Sequence, residues 1–229
     1  MIIACHALPA FESRATENIL KDKLQQAPND VKMAIISALE GHNPRYASAI
    51  LKDTYPNWKK DISLAYMGFR VFSIQPTGSG SRRFVKEVIA DSNEPTDIRE
   101  VAISAMSIST ARNVNDIPFL REILESSEHI KLRRKAAYSL SVQPNTLIRT
   151  IMYKVLETET DQFILSQSFY FIERLEHYDN VGIRVIEHSE REDILGHLEK
   201  FFKRQDIPEE SRKRAKITKD RITNKISRN

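Results

Sequence analysis

The sequence predicts an all-α fold, an α-solenoid of about six stacked helical hairpins, on three observations. One amphipathic segment recurs with a period in the thirties, opening at Asp30, Asp61 and Asp97 and again near His129. Pro28, Pro44, Pro95, Pro118, Pro144 and Pro208 stand just before or at the expected helix starts, where a fixed φ and a missing amide hydrogen are tolerated. Glycine is scarce, at 6 residues, and the two-residue alternation of strands is almost absent.

The first hairpin, near 12–40, ends in DVKMAIISAL (Asp30 to Leu39), which matches DIREVAISAM (Asp97 to Met106) position by position. Apolar residues at Val31, Ala34, Ile35, Ala38 and Leu39, and at Ile98, Val101, Ala102, Ala105 and Met106, follow i, i+3, i+4, i+7, i+8. That is one buried helical stripe. The opening Asp is expected to cap the orphan amides of the first turn and to suit the positive end of the helix dipole. A second repeat, near 43–73, pairs Tyr46, Ala47, Ile50 and Leu51 with the segment from Asp61; a third, near 80–109, pairs Phe84, Val85, Val88 and Ile89 with the Asp97 helix. In the fourth, near 115–142, Phe119, Leu120, Ile123 and Leu124 precede KLRRKAAYSL (Lys131 to Leu140), where Lys131 replaces the Asp.

The fifth, near 145–175, runs from Leu147, Ile148, Ile151, Met152, Val155 and Leu156 into a larger-residue version of the same helix, Asp161 to Ile172. Residues 176–190 read as an irregular insertion, with VGIRVI (Val181 to Ile186) as a short extended piece or a helical turn. The last hairpin, 190–226, pairs Glu190 to Arg204 with Pro208 to Ile226, leaving 227–229 as a tail. A hairpin of this kind keeps an apolar face uncovered until the next one stacks on it, so 1–226 is expected as a single solenoid domain.

Asp97, Arg99, Ala102, Ala105 and Met106, and again Asp30, Lys32, Ile35, Ala38 and Leu39, carry a pattern that resembles the HEAT-repeat family, especially the short HEAT-like repeats of phycobilisome lyase subunits. The resemblance spans roughly residues 12–226 and implies the fold; the function expected of such a curved helical stack is a non-catalytic scaffold whose concave inner-helix surface binds a protein partner. Leu132, Arg133, Ala136, Leu140 and Pro144, followed by Leu156, Glu157, Glu159, Asp161, Ser166, Ile172 and Leu175, are also similar to the final helical repeats of vitellogenin-type large lipid transfer proteins. That likeness implies a lipid or a lipid-carrying partner. In size and basic pI the chain further resembles the HEAT-like alkylpurine DNA glycosylases, but those use tryptophan and a groove-wide positive face, whereas Trp58 stands alone here. Nucleic acid, bound through the basic C-terminal end, is the last alternative.

The formal net charge of +4 conceals an asymmetry. From Lys200 to Asn229 bases outnumber acids by more than two to one, while the preceding residues carry a slight excess of acids. A basic end can bind an anionic polymer or surface, and it equally serves as the polar outer face of a terminal repeat. The single cysteine, Cys5, excludes an internal disulfide framework. No run approaches the roughly 18 apolar residues of a membrane span, and a cytoplasmic location is expected.

Histidines His6, His42, His129, His177, His188 and His197 are scattered, none at metal-binding spacing to another and none followed by Glu as in the di-iron HEAT-repeat hydroxylases. Thr77 to Arg83 form a Gly/Ser loop leading into two bases, which suits a phosphate but lacks the Lys-Ser/Thr ending of a nucleotide loop and reads better as a linker. Acidic pairs such as Glu157 with Glu159 sit at helix ends, with no sign of an acid and base division of labour. No enzyme activity, metal or cofactor is therefore expected. The partner-binding candidates are Lys131, Arg134 and Lys135, which share a helix face, with Lys32 and Arg99 on the matching helices. Alternatively Arg99 and Arg133 stack inside the ladder between repeats. Tyr138, Phe169, Tyr170 and Phe171 are expected in the core.

Overall fold

The computed structural model describes residues 13–74, 80–110, 114–143, 145–180 and 186–227, with backbone alone at 108–110 and 178–180. Among these residues every regular element is helical and none is a strand. Chain contacts separate two compact units, Met1–Asp116 and Ile117–Asn229.

In the first unit the helices are α1 (Arg14–Gln26), α2 (Asn29–Leu39), α3 (Pro44–Asp53), α4 (Tyr55–Trp58), α5 (Ile62–Ile74), α6 (Ser81–Ala90) and α7 (Thr96–Thr110), followed by a 3-10 turn, Val114–Asp116. The second member of each hairpin packs on the second member of the next, α2 on α5 and α5 on α7, while α1 meets α3 and α4. The second unit repeats the plan with α8 (Ile117–Glu125), α9 (Ile130–Ser141), α10 (Thr146–Thr158), α11 (Gln162–Asn180), α12 (His188–Lys203) and α13 (Glu209–Ile226). There α9, α11 and α13 form an inner row and α8, α10 and α12 an outer row. Each unit thus holds three successive hairpins, with its core between the rows.

The apolar stripes are buried at Ile35, Ala38 and Leu39 and at Ile98, Ala102, Ala105 and Met106, whereas Val31, Ala34 and Val101 are half-buried, and the buried arc is turned towards the next flank. Ile36, Ile103 and Ala137, at matching positions of α2, α7 and α9, are as enclosed as Ile35, Ala102 and Ala136. An inner helix is covered by its own partner and by neighbouring inner helices, so a second flank is withdrawn from water. Polar rungs join successive hairpins at the separation of the repeat: Asn29 donates to Asp61 at 2.9 Å, Arg70 to Glu40 at 2.8 Å and Lys59 to Glu94 at 2.7 Å.

The helix starts depart from expectation. Asp61 caps α5 by accepting from the amides of Ser63 and Leu64, and Asp161 caps α11 by accepting from Ile164. Asp30 and Asp97 instead lie inside the first turn, behind Pro28 and Pro95, whose carbonyls accept from Lys32 and from Ile98 and Arg99. Both carboxylates suit the positive end of the helix dipole there, and the cap of α2 is Pro28, with no side-chain hydrogen bond. At the fourth repeat His129 replaces the carboxylate, its Nδ1 accepting from the amide of Lys131.

Two further boundaries differ from the sequence reading. The second hairpin carries the extra helix α4, whose Trp58 is fully buried and donates to the Leu51 carbonyl at 2.9 Å. Helix α11 continues to Asn180, through residues assigned to an irregular insertion, because Ile172, Leu175 and Glu176 extend its buried face. Residues 181–185, most of the Gly/Ser loop, Pro144 and the N-terminal residues that include Cys5 and His6 lie outside the described residues.

Candidate functional site

Burial of Leu132, Ala136 and Leu140 turns the opposite flank of α9 outward, and this flank carries Lys131, Arg134, Lys135 and Tyr138. On α11, burial of Ile164, Leu165, Phe169 and Ile172 leaves Phe163, Ser166, Tyr170 and Arg174 facing out. On α13 the buried set is Ser211, Ala215, Thr218 and Ile222, which exposes Lys213 and Ile217. The three helices are consecutive members of one row.

Rungs set their relative height. Arg134 grips Asp161 through Nε at 3.1 Å and Nη2 at 2.7 Å, and Ser141 donates to Gln167 at 3.1 Å. Tyr138 is bracketed between these rungs, level with the first turns of α11. From α13, Arg214 holds Glu173 through Nη2 at 2.9 Å. Between α11 and α13 opens a cleft of about 370 Å³, floored by Phe169 and lined by Gln162, Ser166, Glu210, Lys213, Arg214 and Ile217.

Four large apolar side chains stay in water on this row: Tyr138 at 43% exposure, Phe163 at 43%, Tyr170 at 36% and Ile217 at 60%. Phe169 and Phe171 are core residues as expected, whereas Tyr138 and Tyr170 are not. Each exposed tyrosine has a cation near its ring, Lys135 at 6.0 Å from Tyr138 and Arg174 at 5.6 Å from Tyr170. Partial burial alone would raise the Asp161 carboxyl, but the Arg134 hydrogen bond and the Ile164 amide outweigh it and hold its pKa below the ordinary value.

The sequence-derived candidates fall into two groups. Lys131, Arg134 and Lys135 come together on the α9 face. Lys32 and Arg99 belong to the first unit; Lys32 is half-buried, and Arg99, only 6% exposed, donates through Nε to the Ile89 carbonyl at 2.7 Å. Its guanidinium serves the end of α6 and is not offered to a partner. The same device recurs: Arg133 reaches the Leu124 carbonyl at the end of α8, and Arg212 the Phe202 carbonyl at the end of α12. Each of these arginines is the fourth residue of its helix, placed to satisfy a last-turn carbonyl of the preceding helix. At the end of α10, Arg204 does this work on the carbonyls of Leu156 and Glu159.

Other candidates resolve into internal contacts. Arg82, read as one of two bases beside a phosphate loop, binds the buried Asp116 at 2.5 Å and the Ser73 carbonyl, and Lys86 meets the same carboxylate at 2.8 Å. His197 sits between Glu157 at 3.1 Å and Asp193 at 3.6 Å, against the ring of Tyr153. Buried Glu176 of α11 is contacted by Lys225 of α13 and lies 3.9 Å from Nε of Arg191 on α12. A second groove, about 470 Å³, runs between α8 and α10 beside exposed Leu147, and both of its cations, Arg121 and Lys154, close on Glu125. Among the described residues no cluster of three or more His, Cys, Asp or Glu converges as metal ligands, and no helix is long and apolar enough to cross a membrane.

Sequence reasoning missed Lys213, Arg214 and Ile217. The available signal was Ile217, a lone large aliphatic off the Ser211, Ala215, Thr218, Ile222 flank of an otherwise basic helix. No family model, no curated protein and no solved structure matches the chain.

Proposed function

We propose that this chain is a non-catalytic scaffold of HEAT-like repeats, each unit a short run of α-solenoid, and that it binds a protein partner on the outward face of α9, α11 and α13. The observation that carries this reading is the exposure of Tyr138, Phe163, Tyr170 and Ile217 along three adjacent helices, with Lys135 and Arg174 held against the tyrosines. Aromatic and arginine side chains clustered on one surface are the usual anchors of protein interfaces, since they remove large area from water at little rotamer cost. Repeat surfaces of this kind bind without reacting groups.

A photo-crosslinking residue at position 163 of the full chain, exposed on the same face, is expected to capture one or a few proteins from the native source. Tyr138→Ser combined with Tyr170→Ser should lower their recovery by about tenfold without moving the melting temperature. Recovery unchanged in the double variant, or crosslinks to lipid or nucleic acid alone, would overturn the proposal.

A further inference from the structure

We infer that the segment bound on this face is acidic and seats an aliphatic side chain in the cleft between α11 and α13; this rests on the scaffold reading above. The cleft, at about 370 Å³, has an aromatic floor in Phe169 and an aliphatic rim in Ile217. A volume of that size lies at the lower end of the range of about 300–1,000 Å³ for ligand pockets, which suits a side-chain anchor better than a whole lipid. Its polar rim sets two bases, Lys213 and Arg214, against one acid, Glu210, and further bases follow along the face in Arg174, Lys135 and Lys131.

Besides Glu210 at the cleft rim, the acids on the face are Asp161, Glu173 and Glu209, and the first two of these three are committed. Asp161 accepts from Arg134, and Glu173 accepts from Arg214, each through two guanidinium nitrogens. Glu209 meets Lys213 at 3.2 Å with both side chains largely in water, a contact too solvated to hold the lysine against a competing carboxylate. Carboxylates spaced along a peptide can therefore reach Lys213 while avoiding Asp161 and Glu173. A polyphosphate backbone has no such choice, because its charges are continuous and the face interleaves acids with bases. The cations near Tyr138 and Tyr170 add pre-ordering, since a lysine or arginine already resting near a ring loses less freedom on meeting an acid.

The test is a phage-displayed library of random peptides, about twelve residues long, selected on the full chain, with enriched sequences remade as fluorescein-labelled peptides and measured by anisotropy. The expected consensus is one Leu, Ile or Phe flanked by two or more Asp or Glu. Ser166→Trp, which fills the cleft, and Ile217→Asp, at an exposed position that leaves the core untouched, should each weaken binding about tenfold, and Lys213→Glu should weaken it and flatten its salt dependence. Enriched peptides without acids, affinities unchanged by Ile217→Asp, or no enrichment over a protein-free control would overturn the inference. Tighter binding of a labelled oligonucleotide of matching charge would assign the face to nucleic acid instead. Peptides that lose affinity in the Tyr138→Ser, Tyr170→Ser variant but not in the cleft variants would sink the cleft alone and leave the scaffold standing.

Discussion

Arg99 and Arg134 look alike in the sequence, as bases on matching inner helices, and the structure gives them opposite situations. Arg99 lays its aliphatic stem in the core and spends its guanidinium on the end of α6, whereas Arg134 stays at the surface against Asp161. Arg99→Ala should lower unfolding free energy by about 2 kcal/mol, through a lost charged hydrogen bond and an orphaned carbonyl, as read by denaturant titration. An unchanged midpoint would mean the α6 end is satisfied some other way. Gly68 is a second residue whose role hydropathy does not reveal: a Cβ there would meet the buried Trp58 ring at 2.8 Å. Gly68→Ala should cost about 1–3 kcal/mol by overpacking, and a melting temperature equal to that of the parent would contradict this packing.

At the scale of elements, the helix starts are where charge and geometry meet. Asp161 caps α11 and pairs with Arg134, and its folded pKa is depressed. A carboxyl lowered on folding contributes stability that is present above its unfolded value of about 3.9 and is lost as the pH falls through the folded value. Asp161→Ala should therefore cost about 0.5–2 kcal/mol at neutral pH, with the gap to the parent closing below about pH 4 in denaturant titrations across that range. A gap that stayed constant on acidification would show that the charge contributes nothing. Prolines and repeated apolar pairs made most helix starts legible in the sequence. The continuation of α11 to Asn180 was not, because Glu176 reads as solvent-facing until Lys225 and Arg191 are brought to it from α13 and α12.

At the scale of the molecule, two units each carry a core between two rows of helices. Glu176, 2% exposed, ties α11, α12 and α13 of the second unit together. Glu176→Ala would leave cationic side chains at a buried site without their carboxylate, a change that typically costs about 3–5 kcal/mol. Amide hydrogen exchange should then accelerate across residues 162–226 while Gly68→Ala acts on the amides of α3 to α6. Acceleration spread evenly over both units in either variant would show that they unfold as one.

The sequence by itself determined the all-helical class, the hairpin order and most of the buried stripe, because a period of 3.6 residues nested in a period in the thirties is a property of the chain read in one dimension. Tertiary structure alone decided which outward residues share a surface. Lys131, Arg134 and Lys135 were legible as one face of one helix, but Tyr170 and the Lys213, Arg214, Ile217 rim join them only when α9, α11 and α13 lie side by side. Exposure of Tyr138 and Tyr170, and burial of Arg99, likewise depend on which neighbour covers a given flank, and that is set by packing across the repeats, not by the hydropathy of the residue itself.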